Sequence, residues 1–226
     1  MSVRSEAPPH HVTAAKFVIA GGFGVGKTTF VGAVSEIEPL TTEAAMTTVS
    51  DGIDDTSPVP GKTTTTVALD FGRITVDSTL VMYLFGTPGQ ERFAFLWDDL
   101  LTGALGAVVL VDTRRVDDCF FACDYFERRG VPFVVGVNCF DGAHRYDLEE
   151  IREALDVGAE VAVVECDARS KESVKAVLIT LLEELLKRAR AGDGPSRDWS
   201  ATPGRARDVS CSAPASDPAR PGRMPV

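Results

Sequence analysis

The residues with the clearest chemistry are Gly21-Gly22-Phe23-Gly24-Val25-Gly26-Lys27-Thr28, in which two glycines bracket four positions and are followed at once by a lysine and a hydroxyl. The segment follows an apolar, strand-like run and opens a helical one, so successive backbone N–H groups can converge on an anion at a helix start. Lys27 brings a positive charge to the terminal phosphates of a nucleotide. The Thr28 hydroxyl is a hard oxygen ligand suited to Mg2+, and Thr29 continues the polar helix start. This P-loop alone does not separate ATP from GTP, or a kinase from a switch.

A second constellation speaks to the base. Asn138-Cys139-Phe140-Asp141 closes one apolar run and Cys166-Asp167-Ala168-Arg169 closes the next. A carboxylate at Asp141 can accept two hydrogen bonds from the N1–H and exocyclic amine of guanine, a pattern adenine does not offer, while the Ala168 N–H can donate to the guanine O6.

The elements that must position these groups are legible as periodicity. Phe17 to Ala20, Val67 to Phe71, Leu80 to Phe85, Ala107 to Val111, Val131 to Val137 and Val161 to Val164 read as six strands. Helices are expected to start near Lys27, Gln90, Val116, Asp147 and Glu172. The last carries an apolar stripe over Val174, Val177, Leu178, Leu181, Leu182, Leu185 and Leu186. The expected fold is therefore α/β, a mostly parallel six-stranded sheet with helices on both faces, and a ligand held beyond the carboxyl ends of its strands. One connection, about residues 38–66, is far longer than such loops usually are and reads as a functional or mobile loop.

In this context the chain resembles the Ras-like small GTPases, over about residues 15–191. Leu84-Phe85-Gly86-Thr87-Pro88-Gly89-Gln90-Glu91-Arg92-Phe93 is similar to their WDTAGQERF segment, and Asn138 to Asp141 to their NKxD motif. More narrowly, GGFGVGKTTFVGAVSEIEPLTTE, TTTTVALDFGRI, YLFGTPGQERF and VGVNCFDGA resemble the GTPases of actinobacterial conservon operons, relatives of the bacterial gliding-motility GTPases. The resemblance implies a GTP/GDP switch with Mg2+ as cofactor, a roadblock-type activating partner and a membrane sensor-kinase-like complex. It also implies roles. Thr66, in Thr66-Val67-Ala68-Leu69-Asp70-Phe71, matches the Mg2+-binding threonine of switch I, with Thr64 and Thr65 as close rivals. Gly89 would report the γ-phosphate through its N–H, and Gln90 would orient the attacking water.

Four positions depart from that pattern. Gly86 stands where the switch II aspartate is usual, removing a charge that supports the metal. Phe23 stands where a small residue is usual and would project toward the γ-phosphate and Gln90. Pro88 stiffens a segment that must move. Cys139 replaces a lysine whose stem lies along the base. The long loop offers Lys62 but no arginine, so unassisted hydrolysis is expected at about 10⁻⁴ s⁻¹ or below. Two rivals stand beside the switch: a scaffold that holds guanine nucleotide without hydrolysing it, and a P-loop ATPase or kinase using Asp112 as its metal carboxylate.

Composition excludes other classes. With 23 Lys+Arg against 33 Asp+Glu the net charge is -10, so no broad positive field gathers nucleic acid or anionic lipid. No apolar run reaches the roughly 20 residues that span a bilayer. Neither end reads as a secretory or lipidation signal, and a cytoplasmic protein is expected, brought to membranes only by partners. Residues 1–14 and 192–226 read as disordered, the latter holding six Pro, four Gly and five Ser. Residues 15–191 make one domain. Five cysteines without a metal-ligand spacing read as free thiols, Cys119 and Cys123 packing on one helical face.

Overall fold

The computed structural model describes residues 12–38, 40–47, 64–89 and 91–192. Among these residues seven strands form one sheet: β1 (Thr13–Gly21), β2 (Leu40–Thr47), β3 (Thr64–Thr75), β4 (Leu80–Gly86), β5 (Ala104–Val111), β6 (Phe133–Asn138) and β7 (Val163–Cys166). The helices are α1 (Lys27–Val34), α2 (Trp97–Leu101), α3 (Phe120–Arg129), α4 (Leu148–Ala154) and α5 (Lys171–Ala191). Short 3-10 stretches, Glu91–Leu96 and Val116–Cys119, lead into α2 and α3.

The sheet order is β2-β3-β4-β1-β5-β6-β7. From β4 to β7 the neighbours are parallel, and β3 runs antiparallel to both β2 and β4. The central strands are apolar without interruption because both their faces are covered. Successive residues point to opposite sides: Val18 and Ala20 join the core under α2, α3 and α4, whereas Phe17 and Ile19 join the core under α1 and α5.

All six strands read from the sequence are present, as is the α/β, mostly parallel architecture. The seventh, β2, lies in the stretch read as a loop. Its Leu-Thr-Thr-Glu-Ala-Ala-Met-Thr sequence mixes three strand-favouring Thr with Glu and two Ala and shows no alternation of apolar and polar residues to mark a strand. As an edge strand it needs only one neighbour, and β3 supplies it from Leu40 opposite Phe71 to Thr47 opposite Thr64. The same pairing draws the threonine run 64–66 into β3, where β-branching favours extended backbone.

Helix starts follow local chemistry. Asp147 accepts from Glu149 N at 2.8 Å, and Glu150 accepts from Asp147 N at 3.1 Å, which caps α4 where expected. In α5 the stripe Val174, Val177, Leu178 and Leu181 is buried. Leu186, counted with that stripe, is instead exposed, turned one position round the helix from Leu185, which packs on the core. β1 takes in Thr13 and Ala14, which pair with Leu80 and Val81, although both fell in the stretch read as disordered. Val12 and Gly192, from the same expected ends, are also described, and residues 1–11 and 193–226 lie outside the described residues. Among the described residues no helix is long and apolar enough to cross a membrane.

Candidate functional site

The loop Gly21–Gly26 leaves β1 and turns into α1 at the carboxyl edge of the sheet. Gly26 sits at φ 104°, and a Cβ there would lie 2.7 Å from the Asn138 side-chain nitrogen, so both conformation and space demand glycine. Lys27 is buried, and its Nζ donates to Gly21 O at 2.9 Å and Gly22 O at 2.7 Å. Burial lowers its pKa to about 8, with Asp70 partly opposing that shift.

The segment Thr87-Pro88-Gly89 lies against this loop. A Cβ added at Gly89 would be 2.8 Å from Lys27 Nζ and 2.8 Å from Phe23 N. A single methyl would already collide, so a phosphoryl group at this point needs Pro88 and Gly89 to withdraw. Gln90 lies outside the described residues. Phe23 turns outward, with 67% of its surface exposed at the mouth of the cleft.

Sequence reasoning missed the residue that answers Gly86. Asp70 on β3 pairs directly with Gly86 on β4, and a Cβ at 86 would stand 2.9 Å from the Asp70 Oδ2. Asp70 therefore fills the space a carboxylate at 86 would need. It is buried and accepts from Thr28 Oγ1 at 2.8 Å. Thr87 Oγ1 is also buried and finds no hydrogen-bond partner among the described residues. Thr28, Asp70 and Thr87 line one open cleft of about 390 Å³ with Lys27 and Gly89. A hydroxyl and a carboxylate beside a phosphate loop, from Thr28 and Asp70, are hard oxygen donors that suit Mg2+.

Thr66 is not brought to Thr28. The extended backbone of β3 carries it four residues past Asp70, about 13 Å along the strand. The physical reason is the β2–β3 pairing, which holds the segment straight where a switch threonine would need it to fold back.

Asp112, the metal carboxylate of the ATPase rival, is committed elsewhere. It is buried and accepts from Arg114 Nε at 2.8 Å, Arg114 Nη2 at 2.7 Å and Arg114 N at 3.0 Å, which hold it below the ordinary carboxylate range. Arg115, within 3.9 Å of Asp112, donates to Phe23 O at 2.8 Å. Because a peptide's C=O and N–H point oppositely, holding this carbonyl turns the Gly24 N–H to the other side of the loop. No motif singled out Arg115.

At the carboxyl end of β6, Asn138 joins two elements: its Nδ2 donates to Val25 O at 2.8 Å, and its Oδ1 accepts from Ala168 N at 3.0 Å. The Ala168 N–H expected to face a base is thus already satisfied by a buried amide. Asp141 is largely exposed and is held below its ordinary pKa by Arg169, which donates to its two oxygens at 2.9 and 3.2 Å. Asp167 accepts from the same guanidinium at 2.9 and 3.1 Å. Arg114 lies over the Phe140 ring, 4.0 Å from its centroid, and the Cys139 thiol is half-buried beside it.

Outside the cleft, Cys119 and Cys123 are buried in the core, and burial raises both thiols, Cys119 to about 12. They pack, as expected. Trp97 is core as well, ringed by Phe121, Tyr125 and Phe126, whereas Phe95 is exposed.

Known proteins share parts of this arrangement. The cytosolic domain of FeoB from L. pneumophila superposes with a TM-score of 0.53 at 18% identity, over 75% of this chain and 68% of that one. The T. maritima FeoB cytosolic domain superposes equally, at 17% identity over 76% and 64%. At these identities the likeness is one of fold. The Ras-related protein SEC4 of Candida albicans is 27% identical over 127 residues, 52% of this chain. An uncharacterized protein of Methanocaldococcus jannaschii is 34% identical over 100 residues, 44% of this chain. The chain spans 60% and 52% of the lengths of these two relatives. A sequence model covers residues 19–188, the phosphate loop and the segments Asn138–Asp141 and Cys166–Arg169 included, and the chain belongs to its family, the conserved hypothetical ATP binding proteins.

Proposed function

We propose that this chain binds GTP and GDP with Mg2+ in the cleft of Lys27, Thr28 and Asp70, and works as a nucleotide-dependent switch with slow hydrolysis. The observation that carries the guanine assignment is Asn138, which ties the P-loop carbonyl of Val25 to the Ala168 turn and so sets Asp141 one short loop away from the phosphate cradle. A carboxylate there accepts from guanine and repels the N1 lone pair of adenine. The Ras-related relative supports the same reading.

Lys27 would turn from the Gly21 and Gly22 carbonyls to the β- and γ-phosphates. Thr28 and Asp70 would hold the metal, which when bound neutralises charge on the phosphate oxygens. Gly89 must retreat for a γ-phosphate, which couples the third phosphate to the position of switch II. Thr66 remains a candidate metal ligand only if β3 releases its first residues, and Gln90 is the residue proposed to orient the attacking water. A roadblock-type activator and a membrane sensor-kinase-like complex follow from the resemblance to conservon GTPases.

The family's description favours a second reading, ATP as the ligand. Competition of a fluorescent GDP by unlabelled GTP, GDP and ATP, with and without Mg2+, separates them. Displacement by guanine nucleotides alone is the expected result. Equal displacement by ATP would overturn the base assignment.

A further inference from the structure

We propose that Arg169 is an internal competitor for the guanine edge at Asp141, and so sets how tightly and how quickly the base is taken. The inference rests on the guanine reading above. Arg169 presents two parallel N–H groups to the fork of the Asp141 carboxylate, one to each oxygen, at 2.9 and 3.2 Å. Guanine would present the same thing, because its N1–H and its C2 amine are part of a guanidine fragment with two parallel donors. A carboxylate fork holds one such pair at a time. Taking up the base therefore means displacing the arginine.

Asp167 makes that exchange feasible. It holds Arg169 through Nε at 2.9 Å and Nη2 at 3.1 Å, independently of Asp141. An arginine released by Asp141 keeps a two-pronged partner, and no charge is stranded. Adenine, with an acceptor at N1 and no amine at C2, cannot make the exchange and leaves the pair closed. The competition is thus felt only by the base that Asp141 selects. The contact is also in water, with Arg169 55% and Asp141 87% exposed, so its weight is modest. The ceiling for an exposed ion pair corresponds to about fivefold in affinity.

The test uses the full chain and its Arg169→Ala and Arg169→Lys variants. Fluorescent GDP gives the association rate, and competition by guanosine gives affinity for a probe that carries no charge. Arg169→Ala is expected to associate faster and to bind guanosine about three- to fivefold tighter, with Arg169→Lys, which keeps the charge but not the fork, between it and the unaltered chain. Added NaCl should tighten guanosine binding by the unaltered chain, since salt screens the competing pair, and leave Arg169→Ala unaffected. A guanine preference retained with unchanged or weaker binding by Arg169→Ala overturns the proposal alone. An unaltered chain that takes ADP as readily as GDP overturns the guanine reading along with it.

Discussion

A carboxylate displaced from one strand to its neighbour is the residue-scale feature that most changes the chemistry expected of this cleft. Asp70 and Gly86 face each other across β3 and β4, so the Asp70 side chain reaches Thr28 from a position that a switch II aspartate would otherwise own. If Asp70 supports the metal, Asp70→Asn should accelerate GDP release in Mg2+ by about tenfold or more while leaving release in EDTA unchanged. Equal acceleration in both conditions would show a purely structural role. Lys27 makes a second residue-scale prediction. Its folded pKa of about 8 lies below the ordinary 10.5, so the unfolded chain binds more protons between those values, and folding stability should rise with pH across that window. Nucleotide binding runs the other way. Phosphates need the ammonium, which the free protein loses above about pH 8, so GDP affinity should be flat near neutrality and fall at higher pH. Lys27→Met should bind weakly and abolish that fall.

At the scale of elements, the segment after Gly89 is divided between packing and exposure. Trp97 opens α2 inside a ring of aromatic side chains on α3, and Tyr125 of that ring shares the Asp98 carboxylate with Arg129. Trp97→Ala should cost about 3–5 kcal/mol of stability, measured by denaturant unfolding. Phe95→Ser, at an exposed site, should change stability by less than about 0.5 kcal/mol, and any effect of it on a partner would then report contact. The P-loop and the apolar strands were legible because their signals are local: a glycine spacing, a run of Val and Ile, a capping pair at Asp147 and Glu150. Asp70 was not, since its role depends on which residue of β4 it meets, a matter of register. β2 was hidden by its Ala- and Glu-bearing composition, and the straightness it gives β3, which carries Thr66 along the strand away from Asp70, was hidden with it. Arg169 was visible only as the last residue of the segment that follows β7, and that it spans two carboxylates is a property of side-chain geometry alone.

For the molecule as a whole, the cleft and the proposed base end hang from different parts of one sheet. The phosphate loop joins β1 to α1, Asp70 comes from the antiparallel edge, and Asp141 and Ala168 follow β6 and β7. A nucleotide that touches all of these ties together elements on both sides of β1, and the unfolded chain has no such set of partners to offer it. Ligand at about a hundred times its dissociation constant then adds about 2.7 kcal/mol to stability. For a folded body of this size that corresponds to a rise in Tm of roughly 5–10 °C. GDP with Mg2+ should produce this shift, and ATP at equal concentration should not. The Asn138→Ala variant separates the two ends of the site. It breaks the bond to Val25 O and leaves Ala168 N without its acceptor, so the phosphate loop and the base turn lose their common tether. Its Tm should fall without nucleotide, and the extra rise produced by GDP should shrink toward that of inorganic pyrophosphate, which engages the phosphate cradle alone. A GDP shift as large as in the unaltered chain would mean that the base end contributes nothing to binding, and that the cleft recognises phosphates and metal only.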